Sequence, residues 1–368
     1  MRPEAIAAMQ PFLADHPGNP SGSHAAARAT KTAIEEAREI VADSCATDAH
    51  NVVFTAGGSE ADNLAVKGIA WYAREHSNLD GVVTTGIEHK AVLGAAGRLA
   101  REGFRVATVG ANLDGRVDLD QLAEALDERT ALVSVMCVNN ETGIVQPLDE
   151  IAAIVHERAP NASLHTDAVQ APQWLAMDLS VDLISISGHK FGGPKGAGAL
   201  IVRDDLPLVP LIEGGGHERE RRAGTQAVPS VVALGAALRE VEQNRSSERA
   251  RIGALRDRFE QGIRDKLPSV EVTGDVSHRV EGVSHVAFPG VESETLLVAL
   301  DQRGVCAASG SACSSGSVDP SHVLLAMGMS REHALSCVRF SFGYASTDDD
   351  VDQAIPIVVE EAARLGCS

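Results

Sequence analysis

Short, almost wholly apolar runs alternate with helix-periodic segments from about residue 31 to residue 203, and this alternation constrains the fold more than any other feature. The apolar runs fall at 51–55 (Asn-Val-Val-Phe-Thr), 81–85 (Gly-Val-Val-Thr-Thr), 105–109, 131–138 (Ala-Leu-Val-Ser-Val-Met-Cys-Val), 183–187 (Leu-Ile-Ser-Ile-Ser) and 199–202, with a more polar strand at 163–166 (Ser-Leu-His-Thr). Each has the length of a strand rather than of a helix. Helices are predicted between them at 31–42, 61–74, 91–102, 119–126 and 149–158. Strands that are apolar on both faces and separated by helices predict an α/β fold, with a mostly parallel central sheet covered by helices on both sides.

Beyond residue 203 the pattern changes. Helices are predicted at 231–243 and 252–266, the second stopped by Pro268, followed by strands at 284–288 and 338–342 and helices at 294–302 and 350–365. A chain of 368 residues exceeds one small core. The expected division is a large α/β domain over residues 1–228 and a smaller α+β domain over 229–368, with the extreme N-terminus able to join the smaller one.

Charge and cysteine usage exclude several classes. The 51 acidic residues outnumber the 32 basic ones, giving a formal charge of -19. Such a balance argues against direct nucleic-acid binding and against anionic membranes. No apolar run approaches the ~20 residues of a membrane span, and the first 12 residues lack the pattern of a signal peptide. The six cysteines show no zinc-type spacing, so no resident metal is expected, and a reducing cytoplasm is the expected compartment.

In a parallel sheet, ligands bind beyond the carboxyl ends of the strands. The first run leads into Ala56-Gly57-Gly58-Ser59-Glu60 and a helix, a setting for a phosphate that equally describes an ordinary helix capped by Ser59. The second leads into Glu88-His89, where an imidazole can stack on a flat cofactor or move protons. The run at 131–138 ends in Asn139-Asn140-Glu141, an ordinary turn or an amide aimed at a ligand. The run at 163–166 is followed by Asp167 and Gln170; a buried carboxylate needs a partner, and a protonated pyridine nitrogen would be one. The run at 183–187 leads into Gly188-His189-Lys190, where a desolvated lysine with a depressed pKa would form imines, with Lys195 as competitor. Taken together, these groups are what a pyridoxal-phosphate (PLP) enzyme needs.

A separate signal lies in the second half. Cys313 sits in a run of small residues at 307–317, which predicts an exposed thiol on a mobile loop. Cys137 and Cys337, in or beside apolar strands, read instead as small buried hydrophobes, and Cys306 lies at the start of the loop.

At this level of detail the chain resembles the cysteine desulfurases among the class V aminotransferase-like, fold-type I PLP enzymes. The resemblance covers nearly the whole length. It is carried by Gly18-Asn19-Pro20-Ser21 with His24, the run 55–63, Glu88-His89-Lys90, Val138-Asn139-Asn140-Glu141, Asp167 with Gln170, and Ser187-Gly188-His189-Lys190. It continues through Gly214-Gly215-Gly216-His217-Glu218, Gly224-Thr225, Ser309-Gly310-Ser311-Ala312-Cys313 and Val338-Arg339-Phe340-Ser341.

The resemblance implies that Lys190 binds PLP as a Schiff base, that His89 stacks on the ring and moves protons, and that Asp167 pairs with the pyridinium. It further implies Gln170 and Asn140 on the ring-hydroxyl side, and Gly58, Ser59, Ser187 and His189 at the phosphate, with Thr225 reaching it from the other subunit of a homodimer. Asn19, Asn140 and Arg339 would bind the substrate, L-cysteine, with Arg339 gripping its carboxylate. Cys313 would carry a persulfide, pass sulfur to an acceptor protein for iron–sulfur cluster assembly or thiolation of tRNA, and transiently ligate an iron–sulfur cluster. Relatives begin with a Leu-Asp-x-Ala-Ala-Thr-Thr-Pro-like segment, and Met1 aligns just after it. Two expectations stand side by side: the start is truncated, or the site is open on that side with activity reduced. Two other readings stay open here: a selenocysteine lyase or other class V enzyme, and a catalytically weak scaffolding homologue.

Overall fold

The computed structural model describes residues 1–310 and 319–368, which form two compact units. The first comprises Met1–Val109, Leu119–Cys137 and Pro147–Asn244; the second comprises Gly110–Asp118, Val138–Gln146 and Arg245–Ser368.

The first unit is built on a seven-stranded sheet. Its strands are β1 (Val52–Thr55), β2 (Gly81–Thr85), β3 (Arg105–Val109), β4 (Thr130–Ser134), β5 (Ser163–Asp167), β6 (Leu183–Ser187) and β7 (Gly198–Val202), in the order β1-β7-β6-β5-β4-β2-β3. The β2–β3, β2–β4, β4–β5 and β5–β6 pairs are parallel, and β7 is antiparallel to both of its neighbours. Only β7 is therefore reversed, and the other six strands end on the same edge. β1, β2, β4, β6 and β7 are buried at every position, which is why they read as continuous apolar runs. Helix α1 spans Pro3–Ala14 and α2 spans Ala25–Ser44. Helix α3 (Gly58–Ser77) packs over β4 to β7, and Leu64, Ala65 and Ile69 enter a core with Val82, Leu132, Leu183 and Leu200. Helices α4 (Lys90–Arg101), α5 (Leu119–Ala125) and α6 (Leu148–Arg158) complete the expected alternation.

The mostly parallel α/β sheet expected from the sequence is present, with three differences in detail. The strand expected at 131–138 leaves the regular ladder after Ser134, although the amides of Val135 and Cys137 still bond to the carbonyls of His165 and Asp167. The helices expected at 231–243 and 252–266 are one helix, α7 (Val228–Arg264). The polar stretch between them holds neither Gly nor Pro, so nothing interrupts the backbone ladder. The N-terminal helix α1, with Pro3 in its first turn, carried too weak a periodicity to be expected.

The second unit contains the antiparallel sheet β10-β9-β8, from β8 (Glu271–Val272), β9 (Val283–Ala287) and β10 (Cys337–Ser341). Four helices, α8 (Ser293–Gln302), α9 (His322–Ala326), α10 (Arg331–Leu335) and α11 (Asp348–Arg364), follow in chain order around β10. Phe259 of α7 meets Phe340 at 4.8 Å between ring centroids, and Phe288 and Phe340 meet edge-on at 6.4 Å. Phe259 also meets Phe342 at 5.4 Å, and each ring buries a large apolar area.

One buried ion pair braces the first unit. Arg38 of α2 donates to Glu218 through Nη1 at 2.7 Å and Nη2 at 3.1 Å, and to the Val52 carbonyl at 2.8 Å. Glu218 also accepts the Phe54 amide at 2.9 Å. Burial alone would raise the Glu218 pKa, but Arg38 and the Phe54 amide hold it below its ordinary value. Glu218, Arg219 and Glu220 all have positive φ (47°, 54° and 64°), a strained turn that this bidentate pair holds down. Arg38→Met would leave Glu218 buried without its cation. The expected loss is about 3–5 kcal/mol of unfolding free energy, read as a lower urea midpoint at unchanged slope.

Candidate active site

The carboxyl edge of the large sheet gathers the polar groups. β5 ends at Asp167, which is 5% exposed and whose Oδ1 accepts the Val169 amide at 2.9 Å. β2 leads into Glu88 and His89. His89 caps α4, its Nδ1 accepting the Ala91 amide at 3.1 Å, so in the neutral ring Nε2 carries the proton. β6 leads into a 3-10 turn, Gly188–Lys190. Burial raises the Asp167 pKa, while the Val169 amide and the nearby His89 and Lys190 pull it down. An oxygen of Asp167, a ring nitrogen of His89 and an oxygen of Asp62 all lie within 4.8 Å of one another.

The start of α3 forms a cradle beside this group. Gly57 has φ of +147° and precedes the helix, so the first turn begins at Gly58 and Ser59 lies inside it rather than capping it. A Cβ on Gly58 would come within 2.6 Å of Val169 Cγ2, so only glycine lets the helix start lie this close to the end of β5. Ser187 Oγ and His189 Nδ1 are hydrogen-bonded at 2.9 Å. A cavity of about 90 Å³ is lined by Ala56, Gly196, Arg222 and Thr225, among others. Glu60 accepts the Ala56 amide at 2.8 Å and pairs with Arg222 at 2.8 Å, fixing both sides of that cavity.

These groups fit PLP: free amides at a helix start for a phosphate, a buried carboxylate for a ring nitrogen, a lysine for the carbonyl. One expectation needs correction. Lys190 is not desolvated; it and His189 are exposed, because the turn swings beyond the buried strand. Lys195 is likewise exposed.

Asn19, in the first unit, is exposed, and its Oδ1 accepts the Ser21 amide at 3.0 Å. Gln170 is half-buried. In the second unit, Arg339 is half-buried on β10 and donates through Nη1 to the Asn140 carbonyl at 2.6 Å. Asn139 shapes the turn before it, its Oδ1 accepting the amides of Glu141 and Thr142 at 2.9 Å each. Cys313 lies within 311–318, outside the described residues. Cys137 and Cys337 are buried as expected, and burial pushes each thiol up to about 12, which makes poor nucleophiles of them. Cys306 is exposed.

Three buried groups next to Asp167 were not singled out by sequence reasoning. Glu88, expected only as the neighbour of His89, is fully buried, and its Oε1 accepts the Met136 amide at 2.7 Å and the Thr85 hydroxyl at 2.9 Å. Asp62 lies on the apolar face of α3 between Ala61 and Leu64. His165 lies in the middle of β5 with no exposure. For Asp62 the available signal was an acid on an otherwise apolar helix face.

The class-V aminotransferase family model matches residues 1–354. A cysteine desulfurase IscS of Clostridium botulinum is 40% identical over 372 residues, covering 99% of this chain and 93% of the relative. A cysteine desulfurase of Gluconacetobacter diazotrophicus is 41% identical over 368 residues, covering 99% and 91%. Among solved structures, a NifS-like protein superposes with a TM-score of 0.92 at 30% identity, covering 99% of this chain and 96% of the other. A structure described as SspA in complex with cysteine superposes at 0.81 and 33% identity, covering 94% and 97%.

Burial, opposed by the Met136 amide and helped by the charge of Asp167, pushes Glu88 up to about 8. The folded chain then holds a proton at neutral pH that the unfolded chain, with an ordinary carboxyl, has lost. Stability from this group is complete below the ordinary carboxyl pKa of about 4.3 and is lost as pH rises through about 8. Glu88→Gln removes that dependence. Unfolding of the two proteins by urea at pH 5 and pH 8.5 should show the variant gaining relative to wild type at the higher pH, by at most about 5 kcal/mol.

Proposed function

This chain belongs to the class-V aminotransferase family and is a cysteine desulfurase, and from that premise we propose how its residues divide the work. The observation that carries the reading is the convergence of Asp167, His89, Lys190 and the Gly58 cradle at one edge of the sheet.

PLP, when bound, supplies the electron sink that lets the Cα–H and then the C–S bond of L-cysteine be weakened. Lys190 is its covalent anchor and moves the α-proton. The Asp167 carboxylate accepts the ring N–H, and burial strengthens that pairing. His89 would stack on the bound ring and would handle the protons of the sulfur step through Nε2, since Nδ1 is engaged by the Ala91 amide. Gly58, Ser59, Ser187 and His189 take the phosphate, with Thr225 of a partner subunit in a homodimer. Gln170 and Asn140 address the ring hydroxyl. Asn19 and Arg339 bind the substrate, and a guanidinium suits a carboxylate because it offers two parallel donors.

Cys313, as thiolate, attacks the sulfur of the substrate: the carbon–sulfur bond breaks, a sulfur–sulfur bond forms, and the carbon takes up a proton. L-cysteine and the Cys313 thiol become L-alanine and a Cys313 persulfide. An acceptor protein then removes the outer sulfur, for iron–sulfur cluster assembly or thiolation. The acidic chain contains, among its described residues, no helix long and apolar enough to cross a membrane.

Two variants separate anchor from sulfur carrier. Cys313→Ser should retain the visible PLP absorbance and lose alanine production from cysteine by at least about 100-fold; full turnover would remove the persulfide role. Lys190→Ala should leave no PLP covalently attached after borohydride reduction, measured by intact mass, and a labelled variant would mean that the anchor lies elsewhere.

A further inference from the structure

Behind Asp167 runs a buried polar chain that the reaction above does not use. Ser134 Oγ lies 2.8 Å from His165 Nδ1, and Ser185 Oγ lies 2.9 Å from His165 Nε2. Ser185 in turn hydrogen-bonds to Asp62. Ser134, His165 and Ser185 have no exposure and Asp62 has 1%. The four side chains come from β4, β5, β6 and α3, so the chain exists only in the folded sheet.

We propose that Asp62 is held as a neutral carboxylic acid by this Ser185–His165–Ser134 chain, leaving Asp167 as the single anion at the end of β5. The inference rests on the reading of Asp167 as partner of the PLP ring nitrogen, and Asp62 acts through Asp167 as a positioning residue.

Three observations carry it. First, the carboxyl oxygens of Asp62 and Asp167 approach within 4.8 Å in a nearly dry interior, where two like charges cannot both persist. Second, the surroundings decide which acid keeps the proton. Asp167 accepts the Val169 amide and faces His89 and Lys190, all of which favour its charge. Asp62 faces Asp167 and Glu88, and its Oδ1 is enclosed with no hydrogen-bond partner among the described residues. An ionised oxygen is costly in that position, whereas the carbonyl oxygen of a neutral acid is tolerated. Burial first, and then the charge of Asp167, raise Asp62 well above the usual carboxylate range and outweigh the Ser185 hydrogen bond, which pulls it down.

Third, the hydrogens of the chain can be assigned without conflict. His165, lowered to about 3 by burial, is neutral and has one donor and one acceptor nitrogen. The Asp62 O–H donates to Ser185 Oγ, the Ser185 hydroxyl to His165 Nε2, and His165 Nδ1–H to Ser134 Oγ. Each of these three hydrogens finds an acceptor. The 3.8 Å between His165 Nε2 and Asp62 Oδ1 is then a contact of two neutral groups rather than an ion pair.

The test is infrared spectroscopy of the PLP-loaded protein with aspartate carboxyls labelled with carbon-13. Labelling aspartate alone keeps Glu88 out of the shifted signal. Wild type should show the isotope-shifted C=O stretch of a protonated acid at neutral pH, and Asp62→Asn should lack it. No such band in wild type, or a band that survives in the variant, overturns the proposal; the wild-type spectrum by itself requires no variant to fold. PLP titration supplies a second readout. Asp62→Asn, a neutral replacement for a neutral acid, should keep the PLP dissociation constant within about threefold, whereas Asp167→Asn should weaken it at least about 30-fold. An Asp62→Asn protein as weak as Asp167→Asn overturns the proposal. If Asp167→Asn bound PLP as tightly as wild type, the cofactor reading of Asp167 would fall, while the infrared band would still decide the state of Asp62.

Discussion

A parallel sheet must complete its hydrogen bonds strand by strand, and helices on both faces close it to water. In the first unit six strands run the same way and five of the seven are buried at every position. Side chains in the body of such a sheet have almost no room for charge. Polar groups that must meet a ligand are therefore confined to the carboxyl edge, where the strands stop and the chain turns outward. The placement of Asp167, His89 and Gly58, and of the turn that carries Lys190, follows from that one restriction.

The same restriction sets the protonation pattern just behind the edge. Thr84, Ser134 and His165 sit in register across β2, β4 and β5, a polar row inside an apolar sheet. His165 is tolerable there because it has a serine hydroxyl at each nitrogen, Ser134 from the row and Ser185 from β6. Glu88 and Asp62 can be this close to Asp167 only if they give up charge, since burial penalises each anion and Asp167 penalises the second. A catalytic carboxylate in a dry site thus imposes neutrality on its neighbours. The Arg38–Glu218 pair shows the opposite solution, in which both charges persist because each is saturated by the other and by backbone groups.

Much of this was legible from residue order. Val52–Thr55, Gly81–Thr85 and Leu183–Ser187 are apolar on both sides because they lie within the sheet, so their pattern announced both strand and burial. The groups at their ends could be found because each strand end abuts a polar or glycine-rich turn. The chain between 243 and 252 lies outside the two expected helices, but that stretch is polar without holding Gly or Pro, and α7 runs through it. Lys190 was expected to be buried because the strand before it is; its actual exposure depends on the direction of a three-residue turn. Asp62 and His165 went unweighed, since an acid in a helix and a histidine in a strand are unremarkable until their neighbours are known.

The sequence by itself determined the alternation of strands and helices, the sulfur-transfer family and the residue types at each strand end, because local periodicity and short motifs survive without long-range contacts. Only the tertiary structure decided the strand order, the reversal of β7 and the meeting of Asp62, His89 and Asp167 from separate segments. It also decided which of the buried acids carries the charge. Burial and the distance between like charges set that, and both are properties of packed neighbours rather than of any stretch of chain.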